Sequence, residues 1–436
     1  MRLSRTRLGW WVIVVGAAAG CGRISFDAED ARPHGGDAGA ALDAGSDAGV
    51  AMDASGVTDA ASGLDAGVPG DDAGPAPPTD AGMLPGDDAG PAPPADAGAT
   101  GCPLEGLPAS PGLVSGDSFD VVGGAVATFA WVEPGATTIS YAQLSPSGSF
   151  GATRSIPAAA PSAPRIVRTT SGLAIAWVDA STIRMARVVA GAAATAVTVF
   201  DADVAGNPSI AVIGEVVGIS WLAAARTPSD LWFATVSATN VVSTPVRLSS
   251  STPGPAPVTA REGAFAVLVP DTGGKQLARF NPLGGLLAST PVVSPTPFVG
   301  SALGCPAGTY LAAGNFGFST YVIPMDVAGT VTGGEVVIPL PADSGGLVDC
   351  WQGANARGAW AVPRWSNSTT VGTSTIDVAW LTPTGALSAL PRTTIALATP
   401  SSQRVVVAAV GVDGYLVAWA SFTAPSAELH VRVFCP

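Results

Sequence analysis

A short apolar run carrying an aromatic residue returns every forty-odd positions along most of this 436-residue chain. It reads Ala127-Thr-Phe-Ala-Trp131-Val, Leu173-Ala-Ile-Ala-Trp177-Val and Val217-Gly-Ile-Ser-Trp221-Leu. It continues as Ala264-Phe-Ala-Val-Leu268-Val, Gly308-Thr-Tyr-Leu-Ala312-Ala, Gly358-Ala-Trp360-Ala-Val and Tyr415-Leu-Val-Ala-Trp419-Ala. The first two steps are 46 and 44 residues, and the spacing stays in the mid to upper forties until a longer last step of 59. The segments between the runs also repeat. A polar turn is followed by a strand-like piece and a Pro-x-Gly turn, as in Ile139–Leu144 with Ser145-Pro-Ser-Gly148. Ile376–Leu381 with Thr382-Pro-Thr-Gly385 and Leu277–Phe280 with Asn281-Pro-Leu-Gly284 follow the same plan. A short last strand such as Ala196–Phe200 or Glu335–Ile338 completes the unit. No segment sustains helical periodicity, and Val, Thr, Gly and Pro punctuate the chain as they do in all-β proteins.

A period in the forties with several short strands per unit is the signature of a propeller blade. The sequence therefore predicts an all-β domain over residues 101–436: a β-propeller of seven blades, with six blades or two tandem β-sandwiches as alternatives. The apolar run fits the second strand of a blade, which touches neighbouring sheets on both faces and so loses strict alternation. Small Ala and Gly beside Trp or Phe let adjacent blades interlock, which assigns the Trp series to inter-blade packing rather than to ligand stacking. Trp232, Trp351, Trp365 and Trp380 stand outside that series. Trp365, within Arg364-Trp-Ser-Asn-Ser, is the ring expected to be exposed.

The last unit has three strands before the chain stops at Pro436. A fourth strand borrowed from the start of the domain, within Leu104–Val114, would close the ring and remove an exposed edge. Cys102 and Cys435 flank that closure, while Cys305 and Cys350 precede the apolar runs of neighbouring units at similar phase. Four cysteines allow three pairings; this placement favours Cys102–Cys435 with Cys305–Cys350. A bond closing so long a loop is worth about 5 kcal/mol in chain-entropy terms.

Upstream, Arg2, Arg5 and Arg7 precede an apolar stretch from Leu8 to Ala19, which ends in Ala18-Ala19-Gly20-Cys21. The stretch is shorter than the roughly 20 residues that span a bilayer and suits a cleaved signal peptide. These residues resemble the bacterial lipoprotein processing site, with Ala18 where Leu is common. The resemblance implies a signal peptide over residues 1–20, diacylglycerol on Cys21 and anchoring to a membrane. It further implies an outer-membrane or cell-surface location, with the periplasmic face as the alternative, since Gly22 differs from the Asp that retains such proteins at the inner membrane. From residue 21 to 100 the composition changes. Asp-Ala-Gly recurs eight times between Asp37 and Asp96, and Gly70–Gly82 is nearly duplicated as Gly86–Gly98. With one aromatic, Phe26, this segment cannot form a core and is expected to be a disordered acidic linker. Its Asp spacing lacks the alternating oxygen ligands of a calcium loop.

The linker also accounts for the charge. Of the net −13, residues 22–100 contribute −13, the signal peptide +3 and residues 101–436 only −3. No basic stripe for nucleic acid is present. Histidine occurs only at His34 and His430, no G-x-S-x-G elbow or metal-ligand spacing appears, and no cofactor is expected. Carboxylates for glycoside chemistry could come from Asp120, Glu133, Asp179, Glu262, Asp349 or Asp413, with nothing singling out a pair. No catalytic, metal or cofactor-binding residue is therefore assigned. The expected function is binding of a protein or glycan partner by a monomeric, membrane-tethered propeller; a glycan hydrolase or lyase using channel carboxylates, or a structural envelope component, is the alternative.

Overall fold

The computed structural model describes residues 111–434, less 224–229, 250–255, 294–298, 305–309, 340–359, 369–372, 383–385, 388–392, 398–400, 411–413 and a few shorter turn segments. The described residues contain 27 strands and no helix, so no described helix is long and apolar enough to cross a membrane. The strands form separate antiparallel sheets that serve as the blades of a β-propeller: six of four strands and one of three.

Sheet 1 takes Phe119–Val122, Ala127–Trp131, Thr138–Leu144 and Arg154–Pro157. Sheet 2 takes Pro161–Arg168, Gly172–Asp179, Thr182–Val189 and Thr195–Asp201. Sheet 3 follows with Ser209–Ile213, Val216–Ala223, Asp230–Val236 and Val246–Ser249. Sheet 4 has Val258–Arg261, Ala264–Asp271, Gly274–Phe280 and Leu286–Val292. Sheet 5 has Val299–Gly304, Tyr310–Phe316, Ser319–Met325 and Val336–Pro339. Sheet 6 is the three-stranded one, Trp360–Ser368, Thr373–Leu381 and Thr393–Leu397. Sheet 7 joins Ser401–Val410, Gly414–Thr423 and Ser426–Phe434 to Leu113–Val114 from the other end of the domain. The seven apolar runs thus fall one to a sheet.

The borrowed strand closes the ring as the sequence predicts. Leu113 pairs with Glu428 and Val114 with Ala427, antiparallel, and the Leu429 N–H donates to Gly112 O at 3.2 Å. The first strands of sheets 1 and 7 also meet directly, through a parallel bridge between Gly124 and Val410 and a 3.0 Å bond from Gly124 N to Ala409 O. A Cβ on Gly123 would stand 2.0 Å from that same carbonyl, so this position tolerates no side chain.

The core lies between sheets rather than beneath one. Separate apolar clusters join sheets 1 and 7, 1 and 2, 2 and 3, 3 and 4, 4 and 5, and 6 and 7. Trp131, Trp177 and Trp221 are at most 2% exposed and belong to these clusters. Trp380 is buried in the same way between sheets 6 and 7, although it stands outside the repeat. Small residues admit the large ones: an added Cβ at Gly218 of sheet 3 would come within 2.6 Å of the Phe265 ring in sheet 4. The side chain of Trp365 and all of Trp351 lie outside the described residues.

One turn recurs between the third and fourth strands. In sheets 1, 3, 4 and 5 the fourth turn residue donates its N–H to the first residue's carbonyl: Gly148 to Ser145, Asn240 to Ser237, Gly284 to Asn281 and Gly329 to Asp326, each at 3.0 Å. That fourth residue has positive φ (85° at Gly284, 63° at Asn240), which glycine and asparagine tolerate best. The first residue's side chain caps the turn, as when the Gly285 N–H donates to Asn281 Oδ1 at 2.9 Å.

Candidate functional site

Asp120 is fully buried on the first strand of sheet 1. Arg404 Nη2 of sheet 7 donates to its Oδ1 at 2.9 Å, and the Ile166 N–H of sheet 2 donates to Oδ2 at 2.9 Å. The Arg404 guanidinium lies over the Phe119 ring, 5.6 Å from its centre. Both carboxylate oxygens are therefore engaged in holding three sheets together.

Asp179, Glu262 and Glu133, the other described carboxylates singled out from the sequence, also have partners. Asp179, at the end of sheet 2's second strand, accepts the Ala160 and Ala159 N–H groups at 2.8 and 2.9 Å and Arg184 Nη1 at 3.2 Å. Burial pushes its carboxyl up, but these donors outweigh burial and hold it below the usual carboxylate range. Glu262 pairs with Arg261 at 3.0 Å, and Glu133 accepts a long bond from Ser140 at 3.5 Å. Asp349 and Asp413 lie outside the described residues.

His430 has a hydroxyl partner, Ser421, whose Oγ lies 2.5 Å from Nε2. Glu428 Oε2 approaches the same nitrogen at 4.0 Å, and Trp419 stacks on the ring at 5.4 Å. A nucleophile–base–acid relay needs the acid on the opposite nitrogen, Nδ1. Serine and glutamate here share one nitrogen, so the cluster is a polar contact within sheet 7.

A cleft of about 360 Å³, its walls largely apolar with a few polar groups, lies between sheets 1 and 2. Thr128, Tyr141, Gln143 and Arg154 line it from sheet 1, and Arg168 and Ser171 from sheet 2. Arg168 crosses between the sheets: its Nε donates to Gly123 O at 3.2 Å, and its Nη2 to Val126 O at 3.1 Å and Thr128 Oγ1 at 3.5 Å. All three acceptors are neutral. The nearby Glu215 of sheet 3 is turned to other work. It accepts the hydroxyl of Thr170 together with the Ser171 N–H at 2.6 Å and Ser171 hydroxyl at 2.9 Å, and it faces Arg187 at 3.5 Å. The Thr170 hydroxyl, with the Ser171 donors and Arg187, holds the Glu215 carboxyl below its ordinary range.

Sequence reasoning missed Arg404, Arg168 and Arg154. Arg404 carried a usable signal, a charge at the head of the apolar run Val405–Val407. Arg154 and Arg168 carried none, because only the packing of consecutive sheets 1 and 2 side by side brings these two residues, 14 positions apart, to the walls of one cleft. Cys21, Cys102, Cys305, Cys350 and Cys435, and with them the lipidation and both disulfides, lie outside the described residues.

No protein-family model matches the sequence, and no curated protein matches it. Among solved structures it is similar to BBS1N in complex with ARL6DN, at 9% identity over 76% of this chain and 96% of that one, TM-score 0.47. It is also similar to the WD40 domain of SCAP from fission yeast (9% identity, 72% and 82% coverage, TM-score 0.44). A prolyl endopeptidase matches at 12% identity over 70% of this chain with TM-score 0.44, and the chain spans 47% of that protein's length. At such identities the likeness is one of fold alone.

Proposed function

We propose that this chain is an exported lipoprotein, anchored by acylated Cys21, whose acidic linker presents the propeller to a protein or glycan partner at the outer membrane or cell surface. The observation that carries the binding reading is the state of the carboxylates. Of the carboxylates that glycoside chemistry could draw on, Asp120 and Asp179 are held by arginines within the fold, and the exposed Glu262 pairs with its neighbour Arg261. The anchoring reading is supported by the Arg2/Arg5/Arg7 region, the short apolar stretch and Cys21. More than one acyl chain on that cysteine gives stable membrane attachment.

Two disulfides belong to the same reading. The antiparallel pairing of Leu113 and Val114 with sheet 7's third strand is extended by Gly112, whose carbonyl accepts the Leu429 N–H. This supports Cys102–Cys435 as a lock on the closure, with Cys305–Cys350 as the second bond. Peptide mapping without reduction tests both pairings.

Palmitate labelling of the full-length protein that vanishes in Cys21→Ala tests the anchor. Glycan-array and pull-down screening of the same protein tests binding. Glycan hydrolysis without any retained ligand would overturn the binding reading in favour of the enzyme.

A further inference from the structure

Arg154 and Arg168 both line the cleft between sheets 1 and 2, and none of the residues lining it is acidic. This happens in a domain whose own net charge is negative. Arg168 is fixed against sheet 1 by bonds to two backbone carbonyls and a hydroxyl, so its position is set without an ion pair to a described carboxylate. Arg154 is exposed on the outer strand of sheet 1 and has no ion pair with a described residue. A single guanidinium with an open fork binds a carboxylate through two parallel bonds, a mode open to Arg154, while Arg168, with Nε and Nη2 engaged, contributes Nη1 and its charge.

The remaining polar lining is of a different kind. Tyr141 and Gln143 offer a phenol and an amide, groups that both donate and accept, and Ser171, whose hydroxyl hydrogen goes to Glu215, keeps its oxygen as an acceptor. A ligand rich in hydroxyls can satisfy these together, whereas a bare inorganic anion can use only the arginines. The volume is at the lower end of ligand-site sizes, suited to one or two sugar rings. We propose that this cleft binds an acidic saccharide, its carboxylate set on Arg154 and Arg168 and its hydroxyls on Tyr141, Gln143 and Ser171. The proposal rests on the binding reading above and narrows it to a glycan carrying uronic acid chemistry.

Titration calorimetry of the full-length protein with digalacturonate tests it, alongside neutral digalactose, sodium sulfate and a glutamate-rich peptide. Digalacturonate is expected to bind, with digalactose and sulfate at least about tenfold weaker. Arg154→Gln leaves the described inter-sheet bonds intact and is expected to weaken digalacturonate about tenfold or more. Arg168→Gln should act in the same direction, with near-UV circular dichroism to verify its packing. No binding, equal binding of digalactose or sulfate, preference for the peptide, or no response to Arg154→Gln would each overturn the proposal. If Arg154→Gln keeps every array or pull-down ligand, the cleft assignment fails while the binding reading stands.

Discussion

Asp120 and Arg404 stand 284 residues apart in sequence, yet a 2.9 Å hydrogen bond joins them with almost no solvent exposure. They sit on the inner strands of the first and last sheets, where a closed ring has its seam. The second oxygen of Asp120 takes the Ile166 N–H from the next sheet. One carboxylate therefore links three consecutive sheets. A buried pair of this kind contributes little net energy against an apolar replacement, because desolvation offsets the Coulomb gain. Removing one member is different, since it strands a charge where water cannot reach it.

Arg404→Met should accordingly cost about 3–5 kcal/mol. The double variant Asp120→Asn/Arg404→Met removes both charges and keeps an acceptor for Ile166, so it should regain much of that loss. Urea midpoints of the two variants and the parent check this. A double variant no more stable than Arg404→Met would show that the ion pair is not what the seam depends on.

The seam makes a second, steric demand. A Cβ at Gly123 would lie 2.0 Å from Ala409 O, a backbone atom that cannot swing aside. Gly123→Ala should therefore part the inner strands of sheets 1 and 7 and lower the unfolding midpoint, at a cost of about 1–3 kcal/mol or more. Gly151→Ala, whose Cβ would meet only Gln143 O at 3.6 Å, serves as the control and should be near neutral. Similar midpoints for the two would refute a tight approach at Gly123.

Between sheets 3 and 4 the fit is of side chain into space. Gly218→Ala would press a methyl within 2.6 Å of the Phe265 ring, which is buried among Phe233, Phe280 and Val267. Overpacking of this kind costs about 1–3 kcal/mol. Phe265→Leu alone leaves a void and is also destabilising. Together the two changes should cost less than their sum, and a double-mutant cycle measures the difference. Strict additivity would mean that the two positions do not touch.

How much of this was legible in advance follows from what sequence patterns encode. The apolar runs placed Trp131, Trp177 and Trp221 in the second strand of their sheets because burial on both faces erases alternation, a local signal. The Pro-x-Gly turns announced positive φ at Gly148 and Gly284 for an equally local reason. The borrowed strand was foreseeable because the last unit runs out of chain one strand short. Partners across sheets were not. Asp120 pairs with a residue 284 positions away, and Arg168 finds acceptors around Gly123 and Val126. Such contacts depend on how sheets are set side by side, which one chain's periodicity does not record. Trp380 shows the same limit. Judged by the repeat it stood apart, yet it packs edge-on to Tyr415 at 4.3 Å between sheets 6 and 7.

The pH dependence of stability should show a distinct alkaline feature from Lys275, the chain's single lysine. Burial at the start of sheet 4's third strand lowers its pKa from 10.5 to about 8. Below about 8 both folded and unfolded chains hold this proton, and the folded state bears the full desolvation penalty. Between about 8 and 10.5 the unfolded chain holds more protons, so stability from this group rises with pH. Solvent screening of a half-exposed side chain limits the gain to about 1 kcal/mol. Lys275→Met removes the penalty, so it should exceed the parent in stability at pH 7 and lose that advantage by pH 10.5. At the acid end the sign reverses. Asp179 and Glu215, held below their ordinary ranges, supply stability above about pH 4 that fades as pH falls through their folded values. Arg184→Leu should shrink that acid-side loss. Urea midpoints from pH 3 to 10.5 for the parent and both variants test each limb, and parallel alkaline profiles for the parent and Lys275→Met would remove Lys275 from the account.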